Sequence, residues 1–249
     1  MTTPARPLPT PEELAAAYLV AARREADRQR QGAALVGHKV GFTNRAVWPQ
    51  LGANAPMWGA MYDDTVLDAL GAPFPYSLSA FHGPRIEPEI VVHFSRAPAA
   101  DSTPESLIDC IDWLAAGYEI VLTPPDNRPP TVAQAIANGG MHGALLVGER
   151  RATKDLGENL ANRLAEVRAG LYCDGERKES GSSASVLGNP LNAILHLIQG
   201  LAAYSRPPIQ AGDTITTGTM TAAYPLTPGQ RWVLKLEGLA LPDLDVVFE

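Results

Sequence analysis

Two glutamates separated by a single residue are the side chains in this sequence best suited to metal chemistry. Glu87 and Glu89 lie within 84–94, PRIEPEIVVHF, a stretch rich in residues that favour β-strands. Side chains two apart on a strand point to the same face, which predicts that the two carboxylates lie together. Such neighbours repel each other unless a proton or a cation lies between them. A divalent cation that prefers oxygen ligands, such as Mg2+ or Mn2+, would relieve the repulsion; the alternative is a solvated strand face.

A third carboxylate that could complete a metal site is Glu119. It lies in the short apolar segment 118–123, YEIVLT, which is typical of a buried strand. An unpaired charge there would be costly, and buried acids are usually paired or bound to metal. Three carboxylate ligands would leave open positions on the cation for a chelating substrate and water.

A lysine, two aspartates and a threonine-rich turn are further candidates for chemistry. Lys39 lies between two glycines in an apolar setting, where it could hold a substrate carboxylate or transfer a proton, or simply end a strand. The hydroxyl and backbone N–H groups of 216–219, TTGT, could bind a carboxylate, although strand-end polarity explains them equally well. Asp63 and Asp64 by themselves indicate a turn or a helix cap.

Composition excludes several classes of function. The net charge is −7 and no dense run of Lys and Arg occurs, which argues against nucleic-acid binding. No apolar run reaches the roughly 20 residues of a membrane span, and the first residues lack the order of a signal peptide. Two cysteines give no disulfide framework, so we expect the protein to be located in a reducing cytoplasm. Motifs of serine hydrolases, P-loop enzymes and dinucleotide-dependent dehydrogenases are absent, and the five histidines lack metal-site spacing.

The elements that must position these side chains are short, because the 22 glycines and 22 prolines predict many turns. Thr10 and Thr103, each followed by proline, predict helix starts, and the second helix is expected to run to Gly117 with Leu114 in its buried stripe. Asn189 is expected to cap an amphipathic helix. Strands are predicted at 84–94, 118–123, 144–147, 167–173, 213–217, 231–237 and 245–248.

The simplest organisation is one compact mixed unit with no internal repeat or linker. Residues 1–70 are expected to form an N-terminal helix and cap region. This region would pack on a metal-binding catalytic domain formed by residues 71–249.

Seven segments in a fixed order carry a family resemblance that no single segment would carry alone. They are GHKVGFTNRAVWPQLG, GAMYDD, PRIEPEIVV, AGYEIV, AIANGG, LYCDGERKESGSSASVLGNPLNAILHLIQGLA and PIQAGDTITTGTMTAAYPLTPG. Together they cover most of residues 35–235 and resemble the fumarylacetoacetate hydrolase superfamily. The most similar branch is that of 2-keto-4-pentenoate hydratase and 4-oxalocrotonate decarboxylase. The resemblance implies an α+β fold, namely a mixed β-sandwich-like roll with flanking helices and a small N-terminal helical annex.

The resemblance also implies roles for individual residues. Glu87, Glu89 and Glu119 match the Mg2+ or Mn2+ ligands of the family. Lys39 matches a lysine that contacts the substrate and is a candidate for catalysis. Asp64 matches an aspartate near the site and is a candidate acid or base.

Substrate binding is implied for a second segment. Thr217, Gly218 and Thr219 stand where the family commonly has Ser-Gly-Ser. The family often carries an aspartate and an arginine shortly after the third metal ligand, and the run EIVLTPPDNR lacks both at those positions. This departure concerns contacts with the tail of the substrate rather than the three metal ligands.

The activity that the resemblance implies is that of a metal-dependent lyase acting on 2-oxo or 2-hydroxy-dienoates in aromatic meta-cleavage catabolism. A 2-oxo acid can chelate a divalent cation, which then stabilises the charge of an enolate. We expect a hydratase, with a decarboxylase as the alternative; an acylpyruvate hydrolase, an oxaloacetate tautomerase and a non-catalytic subunit are weaker alternatives. A cytoplasmic homo-oligomer is expected, and a complex with a pathway partner enzyme is a further expectation.

Overall fold

The computed structural model describes residues 6–124 and 128–249 of the chain. Its helices are α1 (Pro11–Arg30), α2 (Trp48–Leu51), α3 (Pro104–Ile108), α4 (Val132–Ala137), α5 (Leu160–Leu164) and α6 (Pro190–Ala203). Its strands are β1 (Leu35–Gly41), β2 (Met57–Tyr62), β3 (Val66–Asp68), β4 (Phe74–Tyr76), β5 (Pro84–Phe94), β6 (Ile111–Leu122), β7 (His142–Val147), β8 (Arg151–Ala152), β9 (Arg168–Cys173), β10 (Glu176–Ser182), β11 (Thr214–Thr216), β12 (Tyr224–Pro225), β13 (Arg231–Glu237) and β14 (Leu244–Phe248).

The strands form one large and one small sheet. The large sheet has the order β2-β1-β11-β5-β6-β7-β3, with β12 paired to β5 and β8 paired to β6. The small sheet has the order β10-β9-β13-β14-β4. β5 and β6 are the longest strands and pair antiparallel from Pro84↔Leu122 to Phe94↔Ile111. They therefore form the centre of the large sheet, with β1 and β11 on one side and β7 on the other.

The two faces of the β5–β6 pair contribute to different clusters. Side chains at even-numbered positions join the main hydrophobic core, which also contains residues of the small sheet and the helices; examples are Ile86, Tyr118, Leu171, Leu234 and Val246. Side chains at odd-numbered positions contribute to a smaller cluster, formed by Met61, Val91, Ala115, Leu145 and Val147. The expected fold class, a mixed β-sandwich-like roll with flanking helices, is confirmed.

Most element boundaries follow local signals in the sequence. Thr10 begins α1 with a capping box, in which its side chain accepts from the Glu13 N–H and Glu13 accepts from the Thr10 N–H. The Asn189 side chain caps α6 by accepting from the Leu191 N–H. The predicted strands at 84–94 and 231–237 have the bounds of β5 and β13.

The predicted helix from Thr103 to Gly117 is wrong over most of its length. Thr103 does cap a helix, but α3 ends at Ile108 and the chain continues as β6 from Ile111. The apolar residues after Ile108 fit both a helical and a strand pattern. Pairing of this segment with the whole length of β5 decides in favour of the strand, because tertiary context overrides weak local preference.

The N-terminal helix packs against β2 of the large sheet, and its Tyr18 belongs to the main hydrophobic core. Tyr18 of α1 stacks on Trp58 of β2 with ring centroids 4.6 Å apart, and Tyr204 lies 4.1 Å from the Tyr18 ring. β1, β2 and β3, which precede residue 71, pair within the same sheet as β5 and β6. The proposed division of the chain at residue 70 stays a prediction. In the parts of the chain that the structure describes, no helix is long and apolar enough to cross a membrane.

Candidate active site

The pairing of β5 with β6 brings the three predicted acids together. Glu87 lies directly opposite Glu119, and Glu89 lies opposite Gly117. Because side chains alternate along a strand, all three carboxylates project from the same face of the sheet. One carboxylate oxygen from each lies within 4.8 Å of the others, with Glu89 and Glu119 buried and Glu87 partly buried. This is the oxygen-rich arrangement that a hard divalent cation prefers.

Lys39 supplies a buried positive charge to this cluster. Its Nζ donates to Glu119 Oε2 at 2.6 Å, and the two side chains are 2% and 0% exposed. Burial alone would lower the pKa of Lys39, but the three acids, Glu119 foremost, outweigh burial and raise it. Burial alone would raise the pKa of Glu119, but Lys39 and a hydrogen bond with His142 outweigh it and lower that pKa. Lys39 and Glu119 are therefore a charged pair inside the protein.

Glu89 is held through one of its two carboxylate oxygens. The Gly218 N–H donates to Glu89 Oε2 at 2.6 Å, and the Thr216 hydroxyl donates to the same oxygen. The other oxygen, Oε1, is buried and has no hydrogen-bond partner among the described residues. A buried carboxylate oxygen without a partner is costly, and a bound cation would satisfy it. The residues therefore fit a divalent cation.

The pKa values of two acids support the same conclusion. Burial raises the pKa of Glu87 to about 7, against the attraction of Lys39. Burial, with the like charge of Glu119, raises the pKa of Glu89 well above its ordinary value. Without a further positive charge, these two groups therefore resist ionisation. A cation bound among the three carboxylates would reverse this effect.

The segment predicted to contact the substrate lies next to Glu89. Thr217 is buried and its hydroxyl donates to the Ile90 carbonyl at 2.9 Å, while the Thr219 hydroxyl donates to the Thr221 carbonyl at 3.0 Å. The Gly218 N–H is already bound to Glu89. Substrate contacts by these residues stay a prediction.

Asp64 lies at the surface in the turn after β2. Both of its carboxylate oxygens accept from Arg28 Nη2 of α1, at 2.6 and 2.7 Å, and its side chain is 55% exposed. The neighbouring Asp63 accepts from the Ala34 N–H. The side chain of Asp64 is thus joined to α1 rather than to the three glutamates, and its predicted role as an acid or base stays a prediction.

His142, which contacts the cluster directly, and Thr65, which contacts His142, were not predicted from the sequence. His142 Nδ1 lies 2.9 Å from Glu119 Oε1, and His142 Nε2 lies 3.0 Å from Thr65 Oγ1. Neither residue belongs to a metal-site motif, and 23 positions separate His142 from Glu119. The available signal was a histidine that follows two glycines at the entry to a buried strand, in NGGMHGALLV. Residues 125–127 of the segment that departs from the family pattern lie outside the described residues.

Comparison with protein families supplies the classification. Residues 59–245 match the family model described as fumarylacetoacetate (FAA) hydrolase C-terminal, which is well over half of the chain. This chain belongs to that family. The resemblance expected from the seven ordered segments is thereby confirmed.

Individual relatives carry the two activities of the expected branch. A 4-oxalocrotonate decarboxylase of a Pseudomonas species is 29% identical over 204 residues, which cover 82% of this chain and 75% of that protein. The TodF product hydratase of Pseudomonas putida is 30% identical over 241 residues, covering 95% of this chain and 85% of that protein. The solved 4-oxalocrotonate decarboxylase from Pseudomonas putida G7, complexed with magnesium and adipate, has a TM-score of 0.84 at 26% identity and covers 95% of this chain and 86% of that one.

Proposed function

We propose that this protein is a divalent-metal-dependent hydratase of 2-hydroxy-2,4-dienoates, of the kind that acts in aromatic meta-cleavage catabolism. The observation that carries the proposal is the convergence of Glu87, Glu89 and Glu119 beside the buried charge of Lys39, together with the unpartnered Oε1 of Glu89. Hydratases among the relatives support the choice of reaction. Mg2+ is the proposed cation, and Mn2+ is the alternative.

The chain's own residues would divide the work of the site. A cation held by Glu87, Glu89 and Glu119 would supply Lewis-acid stabilisation of negative charge on the 2-oxo oxygen of the substrate. Lys39 Nζ keeps its proton and offers a positive charge to the substrate carboxylate. Thr216 and Gly218 hold one oxygen of Glu89 and leave the other available. Because Lys39, Glu89 and Glu119 are buried, water is excluded from their side of the site, which strengthens these electrostatic interactions.

A decarboxylase is the second candidate function. The observation that favours it is the TM-score of 0.84 with the decarboxylase of Pseudomonas putida G7. Both reactions need negative charge stabilised on the same substrate oxygen, so the three acids and Lys39 serve either one. The products differ, because a hydratase forms a 4-hydroxy-2-oxo acid and a decarboxylase releases CO2.

A spectroscopic assay tests the proposed function. We expect the ultraviolet absorption of 2-hydroxypentadienoate to disappear when Mg2+ or Mn2+ is present and to persist when EDTA is added. The product should be a 4-hydroxy-2-oxo acid, and no CO2 should be released. Release of CO2 from 4-oxalocrotonate would favour the decarboxylase. Absence of turnover of every 2-oxo-enoate, together with absence of bound metal, would favour the non-catalytic subunit.

The variant Glu89→Gln tests whether Glu89 is a metal ligand. We expect it to lose metal-dependent activity and to keep the fold, because glutamine can still accept the hydrogen bonds of Thr216 and Gly218 while one charge leaves the crowded cluster. Glu237→Gln is the control, since this strand glutamate is exposed on the small sheet. Wild-type activity in Glu89→Gln would show that the ligand assignment is wrong.

Assembly and location form a separate part of the proposal. We place the enzyme in the cytoplasm as a homo-oligomer, in line with the two free cysteines. Light scattering coupled to size-exclusion chromatography measures the assembly, and a mass of 26.5 kDa would contradict it. The same measurement with the preceding or following enzyme of the pathway added tests for a partner.

A further inference from the structure

Both oxygens of Glu119 are held by side chains from other elements. Oε2 accepts from Lys39 Nζ of β1 at 2.6 Å, and Oε1 lies 2.9 Å from Nδ1 of His142, the first residue of β7. The His142 ring then reaches Thr65 Oγ1 with its Nε2, at 3.0 Å. A chain of contacts therefore runs from Thr65 through His142 to Glu119 and prevents the buried carboxylate from rotating.

Thr65, at the far end of this chain, has a fixed position of its own. It lies in the turn between β2 and β3, where its hydroxyl accepts from the Tyr62 N–H and donates to the Tyr62 carbonyl, both at 3.1 Å. These bonds close the turn without any help from His142. The Thr65 hydroxyl is therefore a stable point against which the imidazole ring can be oriented.

The backbone that leads to His142 adopts an uncommon conformation. Gly139, Gly140 and Met141 have φ angles of 65°, 71° and 62°, so three successive residues are left-handed. This conformation costs a residue with a side chain, such as Met141, on the order of 1 kcal/mol. Such strain persists where the surrounding structure enforces it, and it clusters at functional sites.

Two close contacts enforce this backbone conformation. A Cβ atom added to Gly59 of β2 would lie 2.3 Å from the Gly139 carbonyl oxygen, and one added to Gly140 would lie 2.6 Å from Cδ of Lys39. The segment therefore rests directly on β2 and on the Lys39 side chain. One short segment thus covers Lys39 and places His142, the two partners of Glu119.

We propose that His142 and Thr65 are positioning residues, which set the orientation of the Glu119 carboxylate for metal binding. The inference rests on the proposed function, because it assumes that Glu119 is a metal ligand. His142 and Thr65 would then hold the carboxylate of Glu119 as Thr216 and Gly218 hold that of Glu89. Partners that hold a metal ligand typically affect metal affinity by about 10- to 100-fold when they are removed.

Binding of Mn2+ to the full chain tests the inference without relying on turnover. Free Mn2+ is measured by electron paramagnetic resonance during titration, and thermal unfolding checks the fold. We expect His142→Ala to weaken Mn2+ binding about 10- to 100-fold, and His142→Asn to weaken it only a few fold, because the asparagine amide can replace Nδ1. Thr65→Val is expected to weaken binding about 3- to 10-fold, and Thr65→Ser to retain wild-type affinity.

His93→Ala is the matched control for a lost histidine–carboxylate contact. His93 Nδ1 lies 2.6 Å from Asp112 Oδ1, at the end of β5 away from the glutamates, so its loss should leave Mn2+ affinity unchanged. Wild-type affinity in both His142→Ala and Thr65→Val would overturn the inference and leave the metal site standing. Equal losses in His142→Ala and His142→Asn would also overturn it. A wild-type protein that binds no Mn2+ would overturn the metal site and the inference together.

Discussion

At the scale of single residues, the site contains three carboxyl groups but only one lysine to pair with them. Lys39 forms its ion pair with Glu119, and the pKa of Glu119 is lowered as a result. Glu87 and Glu89 have no such close partner among the described residues, and burial raises the pKa values of both. Metal binding must therefore displace protons from these two groups near neutral pH.

This competition predicts a steep dependence of metal affinity on pH. Because the pKa of Glu87 is about 7 and that of Glu89 is also raised, we expect the Mn2+ dissociation constant to increase at least about tenfold between pH 7 and pH 6. Isothermal titration calorimetry at each pH measures this dissociation constant. An ordinary carboxylate site, with pKa values near 4.5, would show almost no change over this interval.

The stability of the metal-free protein should change with pH in the matching sense. A pKa that is raised in the folded state stabilises the fold below the unfolded value of 4.5, and this contribution is lost as pH rises through about 7. Added Mg2+ removes the loss, so the difference in Tm between Mg2+ and EDTA should be larger at pH 8 than at pH 6. A difference that does not depend on pH would contradict the assignment of Glu87 as a ligand.

Part of the site could be predicted from residue types alone. Glu87 and Glu89 are recognisable because a strand of period two places them on one face, and Glu119 because a charge in an apolar strand needs a partner. His142 could not be predicted in this way, because its partner is chosen by the pairing of β6 with β7. The contact between Asp64 and Arg28 of α1 could not be predicted either, because 36 positions separate the two residues in the sequence.

At the scale of elements, the register between β5 and β6 determines the site. A shift of one residue would move Glu87 and Glu89 to the core face, so the long pairing from Pro84 to Phe94 is what keeps the acids opposite each other. The bounds of β5 were predictable because β-formers fill it and the pair Gly83-Pro84 marks its start. The start of β6 was not, because its residues fit a helix until β5 is present as a partner.

The segment between α4 and β7 offers a test at this scale. Gly140→Ala adds a Cβ atom 2.6 Å from Cδ of Lys39, whose Nζ is held by Glu119 and cannot shift freely. We expect about a 100-fold loss of activity, since small displacements of catalytic groups have effects of that size. Activity is assayed with saturating Mg2+ and 2-hydroxypentadienoate.

A second glycine separates this contact from backbone strain. Gly229 has a φ of 91°, close to the 71° of Gly140, but a Cβ atom there would meet nothing within 4 Å. Gly229→Ala should therefore lose about 1 to 2 kcal/mol of stability from backbone strain alone, and Gly140→Ala should lose at least as much. Only Gly140→Ala should lose activity. Equal activities in the two variants would mean that contact with Lys39 does not matter.

At the scale of the whole molecule, the first helix is joined to the chain that follows α6. Glu25 of α1 accepts from Arg206 across 181 positions of the sequence, and the two side chains are 9% and 23% exposed. Tyr18 of the same helix lies between the rings of Trp58 and Tyr204. These contacts attach α1 to β2 and to the chain after α6, and none of them involves the three glutamates or Lys39.

The Glu25–Arg206 pair therefore predicts a loss of stability that can be separated from activity. Arg206→Ala would leave Glu25 buried without its partner, and we expect a loss of about 3 kcal/mol in the free energy of unfolding, measured by urea denaturation. The Glu25→Ala, Arg206→Ala double variant removes both charges and should be destabilised less than Arg206→Ala alone. Mn2+ affinity should be unchanged in both variants, because neither residue contacts the acids. A double variant that is less stable than Arg206→Ala would show that packing of these side chains, rather than the unpaired charge, determines the loss.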